Sequence, residues 1–407
     1  MWQIIFQIAP IFFWFAAVAA MRPLALSRTA SRIAGAVFAA AFVKFTFFEI
    51  AGGNCFNPDL PKVLIWFYGW AYGVAFFMMA ALVAAALAYA VMRRRGRGVA
   101  VRAKRLFAAV ALVASAVVST YGMYESVRNP SVREIEIAWK ELPEAFDGYR
   151  IAHLSDLHCS SAAKRERFER IVASVNALGV DLIALTGDFV DGSVADRIDD
   201  FSPLAAIRAK DGVVCCTGNH EAYWDWPGWS AEFRKWGFAL PEADGTKIVR
   251  RDGAALAFGA LRDPAFGWYL ADAADAFSAA PEGTFRILLY HRPFTEKIGA
   301  ARADVRLQLS GHTHGGAMPV LRQLVSLANE GHVRGLYEFA PGCFLHVSPG
   351  TGQWAGFPLR ILTPAEITVI RLKCIRQTVA ARSASAPYHA VSYHAVRNDA
   401  AGVKIPF

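Results

Sequence analysis

Long apolar stretches in the first 122 residues restrict the fold of this chain more than any other feature of its sequence. Four of them approach or exceed the roughly 20 residues that a helix needs to cross a bilayer, and they cover residues 2–20, 33–50, 63–92 and 106–122. Backbone N–H and C=O groups find no water in hydrocarbon, so such stretches are predicted to be helical. The sequence therefore predicts an N-terminal transmembrane domain of four helices over residues 1–122. A cleaved signal peptide is the alternative for the first stretch, but no basic residue precedes it.

Basic residues in the loops between these stretches predict the orientation of the domain. The second loop holds only Asp59 and Lys62, whereas the first and third loops are rich in arginine. The basic residues of the first and third loops are Arg22, Arg28, Arg32, Arg93, Arg94, Arg95, Arg97, Arg102, Lys104 and Arg105. The positive-inside rule assigns these two loops to the cytoplasm. The chain after residue 122 is then expected at the periplasmic or exterior face of the cytoplasmic (inner) membrane. The preceding residues would anchor it as a multi-pass domain.

The formal net charge of +9 arises in the same part of the chain. Residues 1–133 hold 14 Lys and Arg against 3 Asp and Glu, and the remainder is close to neutral. A nucleic-acid-binding domain needs a basic patch, so no nucleic-acid partner is expected for the rest of the chain. Within the second apolar stretch, Lys44 is expected to pair with Glu49 or to extend to the interface. A functional role for these intramembrane charges is the alternative.

Beyond the predicted membrane domain, apolar strand-like segments alternate with amphipathic helices. Residues 123–148 form a charged connector with a first strand, 149–373 form a catalytic domain, and 374–407 form a tail that we expect to be poorly ordered. Strands are predicted at 134–139, 149–154, 181–186, 213–216, 255–260, 286–290, 305–309, 344–347 and 366–372, and helices at 164–178, 201–209 and 227–236. Strands that alternate with helices early and dominate later indicate an α/β fold of stacked sheets flanked by helices.

Five short blocks in this region concentrate side chains that can bind metal ions. They read Asp156-Leu-His158, Gly187-Asp188-Phe-Val-Asp191, Gly218-Asn219-His220-Glu221, His291-Arg-Pro293 and Gly311-His312-Thr-His314-Gly-Gly316. Each block begins where a predicted strand ends, and in open α/β sheets the loops beyond the carboxyl ends of strands form the ligand crevice. Five separate loops are therefore expected to build one site.

The residue types in the blocks suit two divalent cations. Asp156 and His158 point the same way along an extended turn, so both can bind one cation. The two oxygens of the Asp188 carboxylate can bridge a pair of cations, and Gly187 before it allows a tight turn. Nitrogen and oxygen ligands suit Mn, Fe or Zn, and the lack of thiolate argues against a structural zinc site. Two such ions lower the pKa of a shared water, which supplies a hydroxide for in-line attack on phosphorus.

The order of these blocks resembles that of the calcineurin-like metallophosphoesterases over residues 134–373. The Gly315-Gly316 doublet and the segment Val347-Ser-Pro-Gly350-Thr-Gly352 make the chain most similar to the bacterial membrane-associated branch of that family. Each block alone is a weak signal, whereas their combination is highly specific. The fold that the resemblance implies is a two-sheet αββα sandwich.

The resemblance also implies a role for each residue. The implied ligands are Asp156, His158, Asp188 and His314 for one metal ion, and Asp188, Asn219, His291 and His312 for the other. His220 would contact the scissile phosphate and stabilise charge or protonate the leaving oxygen, and Asp191 would orient a neighbouring side chain. Arg292, where the family usually has a small polar residue, is either a contact for an anionic substrate or a surface arginine.

These observations predict a membrane-anchored, metal-dependent phosphoesterase, with phosphodiester hydrolysis favoured. A lipid or lipid-linked phosphoester is an attractive substrate because the anchor confines the site near the bilayer, and a soluble nucleotide or sugar phosphate is the alternative. A metal-binding sensor or scaffold without catalysis is the competing hypothesis from another class, and the intact His220 argues against it.

Overall fold

The computed structural model describes residues 2–267, 271–375 and 391–394. The chain forms two compact units, one of Met1–Val127 with Trp354–Ile361 and one of Arg128–Gln353 with Leu362–Phe407. The first unit thus includes a short segment from late in the sequence. It extends to Val127 rather than to the predicted residue 122, because its last helix continues through the start of the predicted connector.

The first unit consists of helices, as its apolar composition predicts. They are α1 (Trp2–Ala20), α2 (Arg28–Phe42), α3 (Lys44–Gly52), α4 (Lys62–Arg94) and α5 (Val101–Val127). Among the described residues, α4 and α5 are long and apolar enough to cross a membrane, and α2 with α3 adds a candidate span that is bent by 51°. The described apolar part of the first helix, Ile8–Leu24, is shorter. The unit therefore has two or three helical spans by this criterion, and the predicted count of four stays a prediction.

The second predicted span is not one straight helix. At Val43 the backbone has ψ −3°, instead of the roughly −42° of an α-helix. This residue ends α2 and starts α3 in a new direction, and the next residue, Lys44, becomes the first of α3.

Lys44 is fully buried, and its expected pairing with Glu49 is wrong. Its ammonium donates a 2.6 Å hydrogen bond to the Gly356 carbonyl. The same ammonium lies 4.5–5.9 Å from the ring centroids of Phe45, Phe48, Tyr72 and Phe357. Glu49 instead accepts a 2.8 Å hydrogen bond from the Cys55 N–H. A carbonyl oxygen and aromatic faces, rather than a carboxylate or the interface, stabilise this charge.

The segment Trp354–Ile361 approaches the helices of the first unit closely. A Cβ added at Gly69 of α4 would lie 2.4 Å from the Pro358 side chain. The Arg360 N–H donates a 3.0 Å hydrogen bond to the Gly122 carbonyl of α5. Small residues on α4 and α5 therefore make room for this segment.

The second unit contains two six-stranded sheets. Its strands are β1 (Ser131–Trp139), β2 (Arg150–Leu154), β3 (Leu182–Thr186), β4 (Val213–Cys216), β5 (Lys247–Arg251), β6 (Ala254–Ala260), β7 (Phe285–Leu289), β8 (Val305–Ser310), β9 (Gly335–Ala340), β10 (Cys343–Val347), β11 (Glu366–Cys374) and β12 (Val391–His394). Its helices are α6 (Arg165–Ala177), α7 (Val194–Phe201), α8 (Asn219–Tyr223), α9 (Trp226–Lys235), α10 (Pro241–Asp244) and α11 (Pro319–Ala328).

Each sheet contains a run of neighbouring parallel strands. The strand orders are β12-β1-β11-β2-β3-β4 and β5-β6-β7-β8-β10-β9. β2, β3 and β4 run parallel to one another, and so do β6, β7, β8 and β10. The carboxyl ends of parallel neighbours meet at the same edge of a sheet, which is where ligand sites form in such folds.

An apolar layer between the two sheets forms one core of the second unit. Trp139 and Ile151 of the first sheet meet Phe258 and Leu289 of the second in this layer. The outer face of the first sheet packs on α6, α7 and α9. The outer face of the second sheet is covered by turns and by a 3₁₀ helix at Asp275–Phe277. The two-sheet fold is confirmed, but on the described residues helices cover chiefly one outer face, because short apolar turns fill the other.

Several predicted elements need correction. The helix expected at 201–209 lies earlier, as α7 followed by a 3₁₀ turn, because the Ser193 side chain accepts a hydrogen bond from Asp196 N–H and starts the helix there. In the tail expected to be poorly ordered, Val391–His394 pairs antiparallel with β1. This pairing covers what would otherwise be an open strand edge. Most of the remaining tail lies outside the described residues.

We expect Trp139→Ala to destabilise the second unit strongly. The Trp139 indole is buried, donates a 2.8 Å hydrogen bond to the Gly342 carbonyl and lies edge-on to Phe285 and Phe344 of the facing sheet. The substitution should lower the free energy of unfolding by about 3–5 kcal/mol, measured by chemical denaturation of the full-length protein in detergent. Trp139→Phe retains the ring contacts and should lower the free energy of unfolding less than Trp139→Ala. An equal decrease for the two variants would contradict this account.

Candidate metal centre

All five metal-capable blocks lie at the carboxyl ends of strands. The block with Asp156 follows β2, the block with Asp188 follows β3, the block with Asn219 follows β4, and those with His291 and His312 follow β7 and β8. Three of these strands belong to the first sheet and two to the second. The site is therefore built from loops at the carboxyl ends of strands in both sheets.

Two groups of ligand atoms fit the two predicted cation sites. The groups are Asp156, His158 and His314, and Asp188, His291 and His312, and the atoms within each group lie within 4.8 Å of one another. Two distances illustrate the packing: His158 Nε2 is 3.2 Å from His314 Nε2, and His312 Nδ1 is 3.3 Å from His291 Nε2. The structure thus brings together side chains that are more than 100 residues apart in sequence.

Asp188 lies between these two groups. Its Oδ2 is 3.2 Å from His291 Nε2 and 3.8 Å from His158 Nε2, so one oxygen faces a histidine of each group. Its Oδ1 accepts a 2.9 Å hydrogen bond from the His220 backbone N–H, which fixes the carboxylate. In this position the Asp188 carboxylate can bridge two cations.

Five of the predicted ligands have left-handed backbones. The φ angles are 54° at Asp156, 48° at His158, 53° at Asp188, 70° at His312 and 47° at His314. Such residues cost about 1–3 kcal/mol each unless their surroundings enforce the conformation, and they cluster at functional sites. The extended turn that we expected at the first block is therefore wrong. Hydrogen bonds between loops hold the strained turn instead: Asp156 N–H donates to the Gly187 carbonyl, and His158 N–H donates to the Asp188 carbonyl, both at 3.0 Å.

Gly187 is required for the loops after β3 and β4 to converge. Its φ is 81°. A Cβ there would lie 2.4 Å from the Gly218 backbone nitrogen and 2.8 Å from His291 Nδ1. Only glycine combines this backbone conformation with so close an approach.

The surroundings of His291 and Asn219 fit a bound cation. His291 Nδ1 is 2.7 Å from the Thr186 carbonyl, which only accepts hydrogen bonds, so Nδ1 carries a proton. Nε2 is then the nitrogen that a cation can bind, once the ring is neutral. Asn219 Oδ1 is buried, and the described part of the chain provides it with no hydrogen-bond donor. Buried polar atoms are rarely left in this state, and a cation would satisfy both groups.

Asp191 connects His158 to His220. Its Oδ2 is 3.2 Å from His158 Nδ1, and its Oδ1 accepts a hydrogen bond from His220 Nδ1. The Nε2 atoms of both histidines therefore point away from Asp191, as expected for a residue that orients its neighbours. The His158 side chain is fully buried, whereas 13% of the His220 side chain is exposed. His220 can therefore meet a molecule that enters the site.

Glu221 has a role that sequence reasoning missed. Its buried carboxylate accepts hydrogen bonds from the backbone N–H groups of Asp188, Phe189 and Gly218 at 2.7–2.9 Å. It thereby ties the turn that carries Asp188 to the start of α8. A glutamate three residues after a helix N-cap is a capping-box position, and that spacing is the signal that could have indicated this role.

Arg292 is paired rather than free. Its Nε is 2.8 Å from Asp263 Oδ2 and its Nη2 is 3.1 Å from Asp263 Oδ1. Asp263 is buried, so the pair balances the charge of the guanidinium. This geometry does not favour Arg292 as an anion-binding residue, and its contact with substrate stays a prediction.

Carboxylates dominate the electrostatics of the site. Burial alone would lower the pKa of His220 and His291, but Asp188 and the other nearby carboxylates together outweigh burial and raise the pKa of His220 to about 10 and that of His291 to about 9. Burial lowers the pKa of His312 and raises that of the Asp156 carboxyl. The buried negative charge, the unsatisfied Asn219 oxygen and the mixed N/O donor set together fit a pair of divalent cations such as Mn, Fe or Zn.

The chain is similar in sequence to known proteins. Residues 149–316 match the family model for calcineurin-like phosphoesterases. A "Transmembrane protein with metallophosphoesterase domain" from Danio rerio is 34% identical over 276 residues, which are 65% of this chain and 62% of that protein. The protein of the same name from Bos taurus is 30% identical over 285 residues, again 65% and 62%. The "Uncharacterized metallophosphoesterase YkuE" of Bacillus subtilis is 29% identical over 66% of this chain and 96% of its own length.

The chain thus spans 62% of the length of the two vertebrate relatives, and relatives occur in bacteria as well as in animals. The matched region contains all the predicted metal ligands and His220. Residues 149–316 of this chain therefore belong to the calcineurin-like phosphoesterase family.

Proposed function

We propose that this chain is a membrane-anchored phosphoesterase that hydrolyses a phosphodiester of a lipid or lipid-linked molecule. The observation that carries the proposal is the position of Asp188 between two groups of histidines, with the partly exposed His220 beside it. Two divalent cations held by these side chains lower the pKa of a water and neutralise charge on the phosphoryl oxygens.

His220 acts on the substrate in this proposal. Asp191 engages its Nδ1, and its Nε2 lies 3.9 Å from Asp188 Oδ2, on the side of the ligand groups. An Nε2–H in this position donates a hydrogen bond to a phosphoryl oxygen or a proton to the leaving oxygen. Asp191 orients the ring, and Glu221 holds the Asp188 turn in place.

The arrangement of the first unit supports an outside orientation of the second. The arginine-rich loops follow α1 and α4, whereas Trp354–Ile361 approaches Gly69 near the start of α4 and Gly122 near the end of α5. These are the ends opposite to the arginine-rich loops. With four spans and the arginines in the cytoplasm, the chain after α5 emerges on the periplasmic or exterior face.

Exposed apolar side chains support a lipid substrate. On α11, 64% of Leu324 and 83% of Leu327 are exposed. Residues three apart lie on the same face of a helix, so the two leucines form one apolar spot. The helix begins three residues after Gly316, the end of the last metal-capable block. A bilayer surface is the environment that such a face favours.

Asp188→Asn should abolish catalysis. The full-length protein in detergent with Mn²⁺ should hydrolyse bis(p-nitrophenyl) phosphate, and the variant should lose more than about a hundredfold in kcat/KM, because loss of even an outer partner of a metal site costs 10–100-fold. Bound manganese, measured by elemental analysis, should fall as well. Asp272→Asn, at an exposed aspartate, serves as the control. A wild-type protein that binds two ions but releases no nitrophenol would favour the sensor hypothesis.

Reporter fusions test the orientation. Alkaline phosphatase joined after Phe407 should be active in a bacterial host, and green fluorescent protein at the same point should be dark, because the proposed topology takes residue 407 out of the cytoplasm. The same two reporters fused after Gly98, in the arginine-rich third loop, should give the opposite pattern: inactive phosphatase and fluorescent protein. Fluorescence of the fusion at Phe407 would overturn the topology without bearing on the metal site.

Replacement of Leu324 and Leu327 by serine should affect lipid substrates selectively. The double variant loses about 1.5–3 kcal/mol of apolar burial for each leucine that enters the bilayer, so hydrolysis of a phospholipid in vesicles should fall at least tenfold. Hydrolysis of soluble bis(p-nitrophenyl) phosphate should change less than twofold. Equal rates on vesicles for the variant and the wild type would show that α11 does not engage lipid.

A further inference from the structure

A cavity lined by three arginines lies beside the last metal-capable block. Its volume is about 460 Å³, and its lining includes Arg133, Arg322 and Arg334 together with the carboxylate of Glu366. The residues come from β1, from α11, from the loop before β9 and from the start of β11. The fold therefore gathers positive charge at this point from three separate segments.

Residues in the wall of the cavity contact the loop that carries His312 and His314. The Thr313 hydroxyl, between these two histidines, donates a 2.6 Å hydrogen bond to the Val333 carbonyl, next to Arg334. A Cβ added at Gly315 would lie 3.4 Å from Arg334 Cδ, and one at Gly316 would lie 3.0 Å from the Arg322 backbone. Both arginines thus pack on the glycine doublet that follows His314.

A second loop joins the cavity to the first metal group. Pro349 lines the cavity. Two residues later, the Thr351 N–H donates a 2.8 Å hydrogen bond to the Ser155 carbonyl, and the Gly352 N–H donates a 3.0 Å hydrogen bond to the Asp156 carbonyl. The loops that line the cavity are therefore hydrogen-bonded to the loops that carry metal ligands.

Two of the three arginines, Arg322 and Arg334, are not neutralised by an ion pair within the described residues. In the described part of the chain, Arg322 and Arg334 form no ion pair within 4.0 Å, whereas Arg292 is fully paired with Asp263. Burial lowers the pKa of the Arg334 guanidinium, and repulsion from Arg322 and Arg133 lowers it further, against the attraction of Glu366. An anion would relieve the repulsion between the Arg322 and Arg334 guanidinium groups.

The Arg334 side chain is held in place for such a contact. Its Nη1 donates hydrogen bonds to the Leu362 carbonyl at 2.8 Å and to the Thr363 hydroxyl at 3.3 Å. Its Nε and Nη2 make no hydrogen bond to the described protein atoms. A guanidinium edge with two parallel donors matches two oxygens of a phosphate.

We propose that Arg322 and Arg334, with Arg133, bind a second phosphate group of the substrate while its scissile phosphoester lies at the metal centre. The proposal rests on the proposed function and narrows it: the substrate is a phosphoester that carries another phosphate. The same chemistry is found in phospholipids with phosphorylated head groups and in soluble bisphosphates.

Paired substrates that differ by one phosphate test this proposal. The soluble pair is the p-nitrophenyl phosphodiesters of glycerol and of glycerol 3-phosphate, and the vesicle pair is phosphatidylglycerol and phosphatidylglycerol phosphate. The full-length Mn²⁺-loaded protein should prefer the member with two phosphates by at least about tenfold in kcat/KM, since a hydrogen bond to a charged group contributes about 1.5–3 kcal/mol. A preference in both pairs, or in either pair alone, supports the proposal, and the pair that shows it identifies the soluble or the lipid source.

Arginine variants identify the residues responsible. Arg322→Gln and Arg334→Gln should each reduce the preference about tenfold and leave kcat/KM for the one-phosphate substrate within twofold. Arg334→Lys should retain part of the preference because it keeps the charge but not the paired donors. Arg302→Gln, at an arginine whose side chain is 74% exposed, is the matched control. No preference in the wild type, or variants that lose activity equally on both members of a pair, would overturn the proposal.

A measurement without metal or turnover separates this proposal from the proposed function. In the metal-free full-length protein, inorganic phosphate at millimolar concentration should protect Arg322 and Arg334, but not Arg302, from modification by phenylglyoxal, as read by mass spectrometry. Protection without any catalysis would support the arginine site and contradict the proposed phosphoesterase activity. Catalysis without protection and without a preference for the second phosphate would support the activity and contradict the arginine site.

Discussion

The Asp188 carboxylate accepts a hydrogen bond from the His220 backbone and lies between histidines that follow strands of both sheets. Burial of a carboxylate without a counter-charge is costly, so the rest of the site is arranged around this one group. Imidazoles surround it, and Glu221 anchors the turn that presents it. The Asn219 oxygen finds no hydrogen-bond donor among the described protein groups, and a bound cation would satisfy it. Cation binding would then also stabilise this edge of the fold.

The same edge concentrates the backbone strain of the second unit. Left-handed residues at Asp156, His158 and Asp188 are stabilised by hydrogen bonds that run from one loop to the next, not within a loop. Gly352, whose N–H donates to the Asp156 carbonyl, adds the loop after β10 to this set. Each loop thus holds its neighbour, and the ligand positions depend on all of them together. This interdependence explains why single blocks of the sequence carry little information and their combination carries much.

Local pattern was enough to predict the buried strands and the ligand blocks that follow them. Val213–Cys216 is found as predicted, because a short apolar run between turns has few other places in a folded domain. The environment of Lys44 could not be predicted from local sequence, since its hydrogen-bond partner Gly356 lies 312 residues away. The cavity of Arg133, Arg322 and Arg334 was missed for the same reason. Charges from distant segments become a site only when the fold places them side by side.

Opposite charges in the second unit argue for an order of binding. The metal centre contains the buried carboxylates of Asp156, Asp188 and Asp191, which share their charge with the histidines around them. These carboxylates would oppose the entry of a phosphate when no cation is bound. The arginine cavity beside the metal centre attracts one. If the proposed arginine site holds an anionic substrate, cations at the metal centre would offset the carboxylates and favour the entry of the scissile group. Charge would then link metal binding to the formation of a productive complex.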